Sequence, residues 1–489
     1  MKIHIKNIGM LDEAEFEIGD LTLICGENNT GKTYATYSLY GYLDFMGNGI
    51  NPAFFEVIRN VIKKYSEFID IHECVAQTST ENLKNIFKTL LETIQKEYQI
   101  ALSRVLAGKE DDFNQSVFED NLVDNFSNFM ENIETDENQE KINKFFSSST
   151  MFEIVEINNE IIKFSYEKSK SHFTQQIHND VEFKKQSVWI AFVSYIFSLI
   201  YPKPFILSAE RTGAAMFQKE LDVNKNEIVD KISQVRSGEI ERAVVDLLTK
   251  RYSRYPKPVK DNIYFVRELE EVAKNMSFIQ KEEKDNPLCK KIIDLLHRIV
   301  GGKYIIGQGG IKFAPGAKKR ATRGKFFVQR ASSSVRSLLM LHFYILHVAK
   351  QNDILMIDEP ELNLHPKNQI LLARLFALLA NAGIKIFITT HSDYIVRELS
   401  NCIMLYNLED TQIEKLKKQG YAKEYRLESG KVKAYLAENV RGKNILSPAS
   451  VTQKQGIFMT TFDEPIDSQN ENQGLIFEMM QYKVGNNDK

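Results

Sequence analysis

The sequence predicts an α/β fold built around a phosphate-binding loop, and three observations predict it. The string Gly26-Glu27-Asn28-Asn29-Thr30-Gly31-Lys32-Thr33 follows the apolar run 21–25 and precedes a helical stretch, 34–43. A second apolar run, 353–358, ends in the acidic pair Asp358-Glu359, and a third, 384–390, ends at His391. Continuous apolar runs of this length are the mark of strands buried on both faces, and open α/β sheets bind ligands at the carboxyl ends of such strands.

In chain order, Met1-Lys-Ile-His-Ile-Lys alternates polar and apolar residues, so the chain begins on a strand and not on a signal peptide. In the loop that follows, Gly26 and Gly31 let backbone N–H groups, those of Asn28, Asn29 and Thr30 among them, turn toward a ligand's phosphates. Lys32 can reach the β- and γ-phosphates, and Thr33 offers a hydroxyl to Mg²⁺. This pattern calls for a nucleotide and Mg²⁺ as ligands. Residues 52–143 carry helical periodicity, with Phe54, Phe55, Ile58, Val61, Ile62, Tyr65, Phe68 and Ile69 on one stripe. Within them, 110–140 holds eleven acids and no base, interleaved with Phe113, Phe118, Phe126, Phe129 and Met130. This segment reads either as a solvated acidic helix face with a core-facing stripe or as a docking surface for a basic partner.

Residues 154–166 alternate around Asn158-Asn159 and predict a hairpin, and helical character returns from 179. The apolar run 188–201 is short of the roughly 20 residues that span a bilayer and is flanked by Lys185 and Lys203, which predicts a core helix and no membrane contact. After a strand near 205–207 comes Ser208-Ala209-Glu210-Arg211-Thr212-Gly213, in which Arg211 could sense a phosphate, couple the site to an insert, or make a surface salt bridge. Lys318, Lys319, Arg320, Arg323, Lys325 and Arg330 form the strongest basic patch, which is either a solvated loop or a binding surface for nucleic-acid phosphates. At the ends of the apolar runs, Asp358 can hold the Mg²⁺ shell, Glu359 can orient or deprotonate a water, and His391 can read the γ-phosphate or hold that water. Past Tyr406, residues 423–436 read as a small hairpin turning at Ser429-Gly430, followed by a polar tail expected to be an appended edge or docking element.

The order of Lys32, then Asp358-Glu359, then His391 resembles the ABC-type ATPases of the branch that includes SMC, RecF and OLD-family proteins. The resemblance covers residues 1–45 and 300–406. It implies an ABC-type ATPase head, a mixed sheet flanked by helices, with an inserted, mainly helical lobe. It also implies a role for Ala331-Ser332-Ser333-Ser334-Val335-Arg336, which opens the apolar stretch 337–350 and looks like the degenerate signature sequence of the group. In the family that helix N-terminus meets the γ-phosphate held by a second subunit, which implies an ATP-dependent head-to-tail dimer or a higher ring of dimers. Free backbone N–H groups, small hydroxyls and the helix dipole suit Ser332, Ser333, Ser334 and Arg336 to a phosphate, although a serine N-cap without a ligand looks the same in sequence. Glu361-Leu-Asn363-Leu-His365-Pro366 resembles the loop that lies across the dimer seam. The stretch 205–213 looks like the strand and loop that stand in place of the glutamine loop, yet no glutamine stands there. Sustained heptads are absent, so long coiled-coil arms are not expected.

The expected organisation is an N-terminal part of the ATPase head (1–48), a helical lobe with a small hairpin (49–200), the rest of the head (201–440, with an insert at about 215–300) and a C-terminal extension (441–489). A net charge of −2 gives no global attraction to polyanions, so contact with a nucleic acid requires a local patch. Cys25, Cys74, Cys289 and Cys402 are scattered without a CxxC pair, which predicts reduced, packed thiols in a cytoplasmic protein, Cys402 lying in an apolar strand. The tail holds no Asp-x-Asp run and no cluster of histidines. Size and architecture resemble the ATPase subunits of two-component bacterial anti-phage systems such as PARIS and Septu. That resemblance implies a sensor or scaffold that holds or licenses a separate nuclease effector and responds to a nucleic-acid or phage-protein trigger. A RecF-like repair or genome-maintenance ATPase that binds DNA with ATP is the alternative, and a binding scaffold with incidental hydrolysis a third. A transporter subunit is disfavoured by the acidic insert.

Overall fold

The computed structural model describes residues 1–47, 52–64, 70–72, 75–121, 152–157, 161–166, 193, 197, 201–217, 255–307, 309–316, 324–459 and 463–485. Every structural statement below concerns these residues. The acidic stretch from 122 onward, most of 188–200, the basic residues 318–323 and Cys74 lie outside them.

Strands β1 (Lys2–Ile8) and β2 (Leu11–Glu17) form the N-terminal hairpin, and β3 (Leu21–Gly26) runs into the phosphate loop. Helices α1 (Lys32–Gly47), α2 (Pro52–Lys64) and α3 (Thr80–Leu106) follow, with the short strands β4 (Asp70–His72) and β5 (Val75–Ser79) between α2 and α3. Then come β6 (Val117–Asp120), the hairpin β7 (Phe152–Ile157) and β8 (Ile161–Tyr166), β9 (Pro204–Leu207) and α4 (Arg211–Met216). After α5 (Lys257–Arg267) and α6 (Pro287–Val300), β10 (Gly302–Gly307), β11 (Gly310–Pro315) and β12 (Phe326–Phe327) make a small antiparallel sheet. Helix α7 (Ser333–Phe343) leads to β13 (Ile354–Asp358), α8 (Pro366–Asn381), β14 (Lys385–Thr390) and α9 (Asp393–Met404). The chain closes with β15 (Val432–Val440), β16 (Lys443–Pro448) and α10 (Asp463–Gly485).

The main sheet has nine strands in the order β6-β1-β2-β16-β15-β3-β14-β13-β9. From β15 to β9 all neighbours are parallel, whereas β15 with β16, β1 with β2 and β1 with β6 are antiparallel, so the sheet is mixed. Side chains on the central strands divide between two cores with a period of two, as the pleat requires. On β13, Ile354 and Met356 join the core with α1, α2 and α3, while Leu355 and Ile357 join the core with α6, α7, α8 and α9. Both faces of the parallel part are therefore covered by helices, which is why its strands read as unbroken apolar runs.

The inserted segment is anchored on the head: its α2 and α3 pack into the same core as β1, β2 and α1, and its β6 extends the main sheet. Several other expectations change. The hairpin at 154–166 is present as β7 and β8, and it belongs to a four-stranded sheet with β4 and β5, which sit inside the stretch read as helical. Cys402 lies on α9 and not on a strand. The C-terminal hairpin pairs β15 with β16 and turns at Arg441-Gly442, further along than Ser429-Gly430. It is also not an appended edge, since β15 inserts beside β3 and β16 beside β2, in the middle of the sheet. The apolar helix after the signature residues is α7, which passes into a single π-helical turn at Tyr344–Val348.

Candidate functional site

The parallel strands β3, β14, β13 and β9 end on the same edge of the sheet, and the chemistry-bearing residues cluster there. Gly26 closes β3 with φ 142°, and a Cβ at that position would stand 2.0 Å from the carbonyl oxygen of Ala437 on β15. Only glycine allows so close an approach at that backbone angle. Gly31 opens α1 with φ 92°, and its Cβ would meet Leu11 at 2.9 Å. Between them Asn29 is left-handed, at φ 63°, and Thr30 donates its hydroxyl to the Glu27 carbonyl at 2.8 Å. The loop thus folds back upon itself ahead of a helix N-terminus, a ready anion cradle.

Asn28, Asn29, Thr30, Gly31, Lys32 and Thr33 line a cavity of about 350 Å³ together with Glu359 and His391, which enter from the ends of β13 and β14. Residues more than three hundred positions apart are thereby brought into one pocket. Lys32 is buried, and its ammonium donates to the carbonyls of Gly26 (3.1 Å) and Glu27 (2.5 Å). Burial lowers its pKa, against the pull of the Asp358 and Glu359 carboxylates. Asp358 is 1% exposed and accepts the Thr33 hydroxyl at 3.1 Å and the Thr389 hydroxyl on its other oxygen. Desolvation raises its pKa to about 6, partly offset by those two hydroxyls. The pair Thr33 and Asp358 presents oxygen donors only, the set that a small hard divalent cation takes.

Glu359 and His391 face each other, with His391 Nε2 3.6 Å from Glu359 Oε1. Burial, then the Lys32 charge, holds the His391 ring below its ordinary value. Glu361 is spent on contacts within the chain. Its carboxylate accepts the His391 backbone N–H at 2.6 Å and the Thr390 hydroxyl at 2.8 Å, so it fixes the turn that presents His391. His365 caps α8 by accepting the Lys367 N–H. Arg211 is neither on the surface nor among the residues lining the phosphate cavity; it lies buried behind the Asp358-Glu359 turn.

The signature residues stand apart from this cavity. Ser332 caps α7, accepting the Val335 N–H at 3.4 Å, and its hydroxyl lies 2.9 Å from that of Ser334. Ser333 opens the helix, and Arg336 donates back to the carbonyls of Ala331 and Gln329. Ser332, Ser333, Ser334 and Arg336 are not among the residues lining the phosphate cavity of their own chain.

Four participants escaped the sequence reading. Met10, in the β1–β2 turn, and Tyr34, on α1, line the cavity. Thr389 holds Asp358, and its place one residue before the end of an apolar strand was the available signal. Asn444, on β16, donates to the carbonyls of Met10 (2.7 Å) and Asn29 (3.3 Å), tying the phosphate loop to the N-terminal turn; nothing local in the sequence marks it.

Solved structures similar to this chain include three SMC head domains. One, bound to the C-terminal winged-helix domain of ScpA, shares 10% identity over 92% of this chain and 98% of that one, with a TM-score of 0.34. A Pyrococcus furiosus head with an extended coiled coil, bound to the C-terminal domain of ScpA, shares 11% over 96% and 98%, with a TM-score of 0.32. The head from Thermotoga maritima shares 10% over 92% and 98%, with a TM-score of 0.29. No curated protein sequence matches the chain. The family model described as the AAA ATPase domain matches residues 1–396, which take in the phosphate loop, the Asp358-Glu359 turn and His391. The chain belongs to the AAA ATPase domain family.

Proposed function

We propose that this chain binds and hydrolyses ATP with Mg²⁺, in a site that a second copy completes. The observation that carries the reading is the convergence of Lys32, Thr33 with Asp358, and Glu359 with His391 on one cavity at the carboxyl edge of the parallel strands. The loop N–H groups and Lys32 bind and orient the β- and γ-phosphates. Thr33 and Asp358 would hold Mg²⁺, which when bound neutralises charge on the phosphate oxygens. Glu359 takes a proton from, or orients, the attacking water, and the neutral ring of His391 holds that water or donates toward the terminal phosphate. The signature residues on α7 supply N–H groups and hydroxyls to the nucleotide of a second copy, which is why they lie away from their own chain's cavity.

On this ATPase we place the role of sensor or scaffold subunit in a cytoplasmic anti-phage complex that holds a separate nuclease. The support is the resemblance to such ATPase subunits, together with the commitment of Asp358, Glu359 and His391 to the nucleotide.

The test is Glu359→Gln, which keeps the shape and removes the base. Hydrolysis should fall by roughly 10²-fold or more while ATP still binds. The variant should gather as an ATP-bound closed dimer in size-exclusion chromatography with light scattering. A wild-type rate would remove Glu359 from the chemistry, and a monomer with saturating ATP at micromolar protein would show the seam to be misassigned. For the defence role, phage plating on cells carrying this chain with its partner nuclease decides, and protection without any second polypeptide would refute it.

A further inference from the structure

Arg211 is 2% exposed, and its guanidinium donates to three backbone carbonyls, two of them in the Asp358-Glu359 turn. Nη1 donates to the Asp358 carbonyl at 2.8 Å and to the Ser208 carbonyl at 3.0 Å, and Nη2 donates to the Glu359 carbonyl at 2.7 Å. Burying a cation this deeply is costly unless nearby charge and full hydrogen bonding offset it. Three bonds to carbonyls and the charges of Asp358, Glu361 and Glu359 offset part of that cost, while burial still lowers the pKa of the guanidinium. A packing role alone would have been filled by an apolar side chain of similar volume.

The turn held by Arg211 is strained. Glu359 has φ 51°, a left-handed conformation that a non-glycine side chain avoids and that persists only where the surroundings over-determine it. Further contacts pin the same turn. The Glu359 N–H donates to the Thr389 carbonyl at 3.1 Å, the Leu362 N–H donates to the Glu359 carbonyl at 3.2 Å, and the Ser337 hydroxyl on α7 donates to the Leu362 carbonyl at 3.0 Å. Of these braces, Arg211 is the one that holds the carbonyls of both Asp358 and Glu359.

We infer that Arg211 is a positioning residue for hydrolysis, gripping the Asp358-Glu359 backbone so that the Glu359 carboxylate points into the cavity opposite His391. The inference rests on the ATPase reading above and adds to it a group that touches neither nucleotide nor water. Because the guanidinium acts through the orientation of Glu359, its loss acts on turnover and leaves nucleotide binding in place.

The experiment is steady-state ATP hydrolysis and calorimetric ATP binding for Arg211→Met and Arg211→Lys, with thermal melts of both. Arg211→Met should lower kcat on the order of 10²-fold with KM and ATP affinity within about twofold of wild type, since an error of about 1 Å in a reacting group costs that much. Arg211→Lys, whose ammonium can still bridge two carbonyls, should recover part of the loss. A crystal structure of Arg211→Met should show Glu359 relaxed to negative φ. A folded Arg211→Met with wild-type kcat overturns the inference, and so does a raised KM at unchanged kcat, which would make Arg211 a nucleotide contact. Should Arg211→Met fail to fold, Arg211→Lys decides alone: reduced kcat at constant KM supports the inference, and unchanged kcat overturns it. Wild-type protein that binds no ATP would sink the ATPase reading and this inference together, an outcome distinct from failure of the variants alone.

Discussion

Replacing Lys32 by alanine removes the only ammonium that lines the phosphate cavity, and the consequence can be worked from its surroundings. Its hydrogen bonds to the Gly26 and Glu27 carbonyls show that the ammonium lies across the mouth of the loop, within reach of a β- and a γ-phosphate seated there. Each charge-assisted bond to a phosphate contributes about 1.5–3 kcal/mol, so losing two costs about 3–6 kcal/mol. That range weakens ATP binding by roughly 10²- to 10⁴-fold. Folding should be nearly untouched. Burial disfavours the charged form of Lys32, and the attraction of Asp358 and Glu359 offsets only part of that penalty, so removing the group forfeits little stability. Calorimetric titration with Mg²⁺ and ATP, alongside a thermal melt, separates the two effects. Unchanged affinity in a folded Lys32→Ala protein would refute the assignment of the loop.

Other regions give sharper tests of the fold. Burial, reinforced by His297 and His347, holds His342 at about 3 against an ordinary 6.5, so the unfolded chain takes up the proton first and stability is lost as pH falls below about 6.5. Between about pH 7.5 and about pH 5, urea denaturation should show the wild type losing about 2 kcal/mol more than His342→Phe, and equal losses would contradict the buried neutral ring. Truncating residues 440–489 removes β16 and with it the link between β15 and β2, so no folded head should survive, whereas removing 465–489, of which the described side chains, 467–480, are exposed, should leave ATP binding and the melting temperature unchanged. Circular dichroism of the two truncations decides, and a cooperatively melting 1–439 fragment would refute the central place of the hairpin.

The elements legible in the sequence are those with a local signature. β3, β13 and β14 announce themselves as apolar runs because the pleat buries both of their faces, and the residues at their ends are legible because parallel strands present their carboxyl ends to ligands. The hairpin of β7 and β8 is marked in the sequence by its alternation on either side of Asn158-Asn159. β4 and β5 are three and five residues long, too short to carry a period against the helical pattern around them. Arg211 was visible only as a charge, since its role depends on carbonyls of a turn 147 residues away.

The C-terminal hairpin departs from the sequence expectation of a turn at Ser429-Gly430 followed by a polar, appended tail. β15 lies against β3 along six residue pairs, Val432↔Leu21 through Ala437↔Gly26. That register sets the Ala437 carbonyl where any side chain at position 26 would be, and it carries Asn444 to the carbonyls of Asn29 and Met10. The glycine at the start of the phosphate loop therefore answers two demands at once, a positive φ and the close approach of a strand more than four hundred residues later. A loop motif read from its own eight residues explains the first demand, while the second appears only when the sheet is assembled. The phosphate loop is thus held from behind by β15 and β16, the C-terminal strands of the main sheet, and the geometry of the site depends on residues far outside its motif.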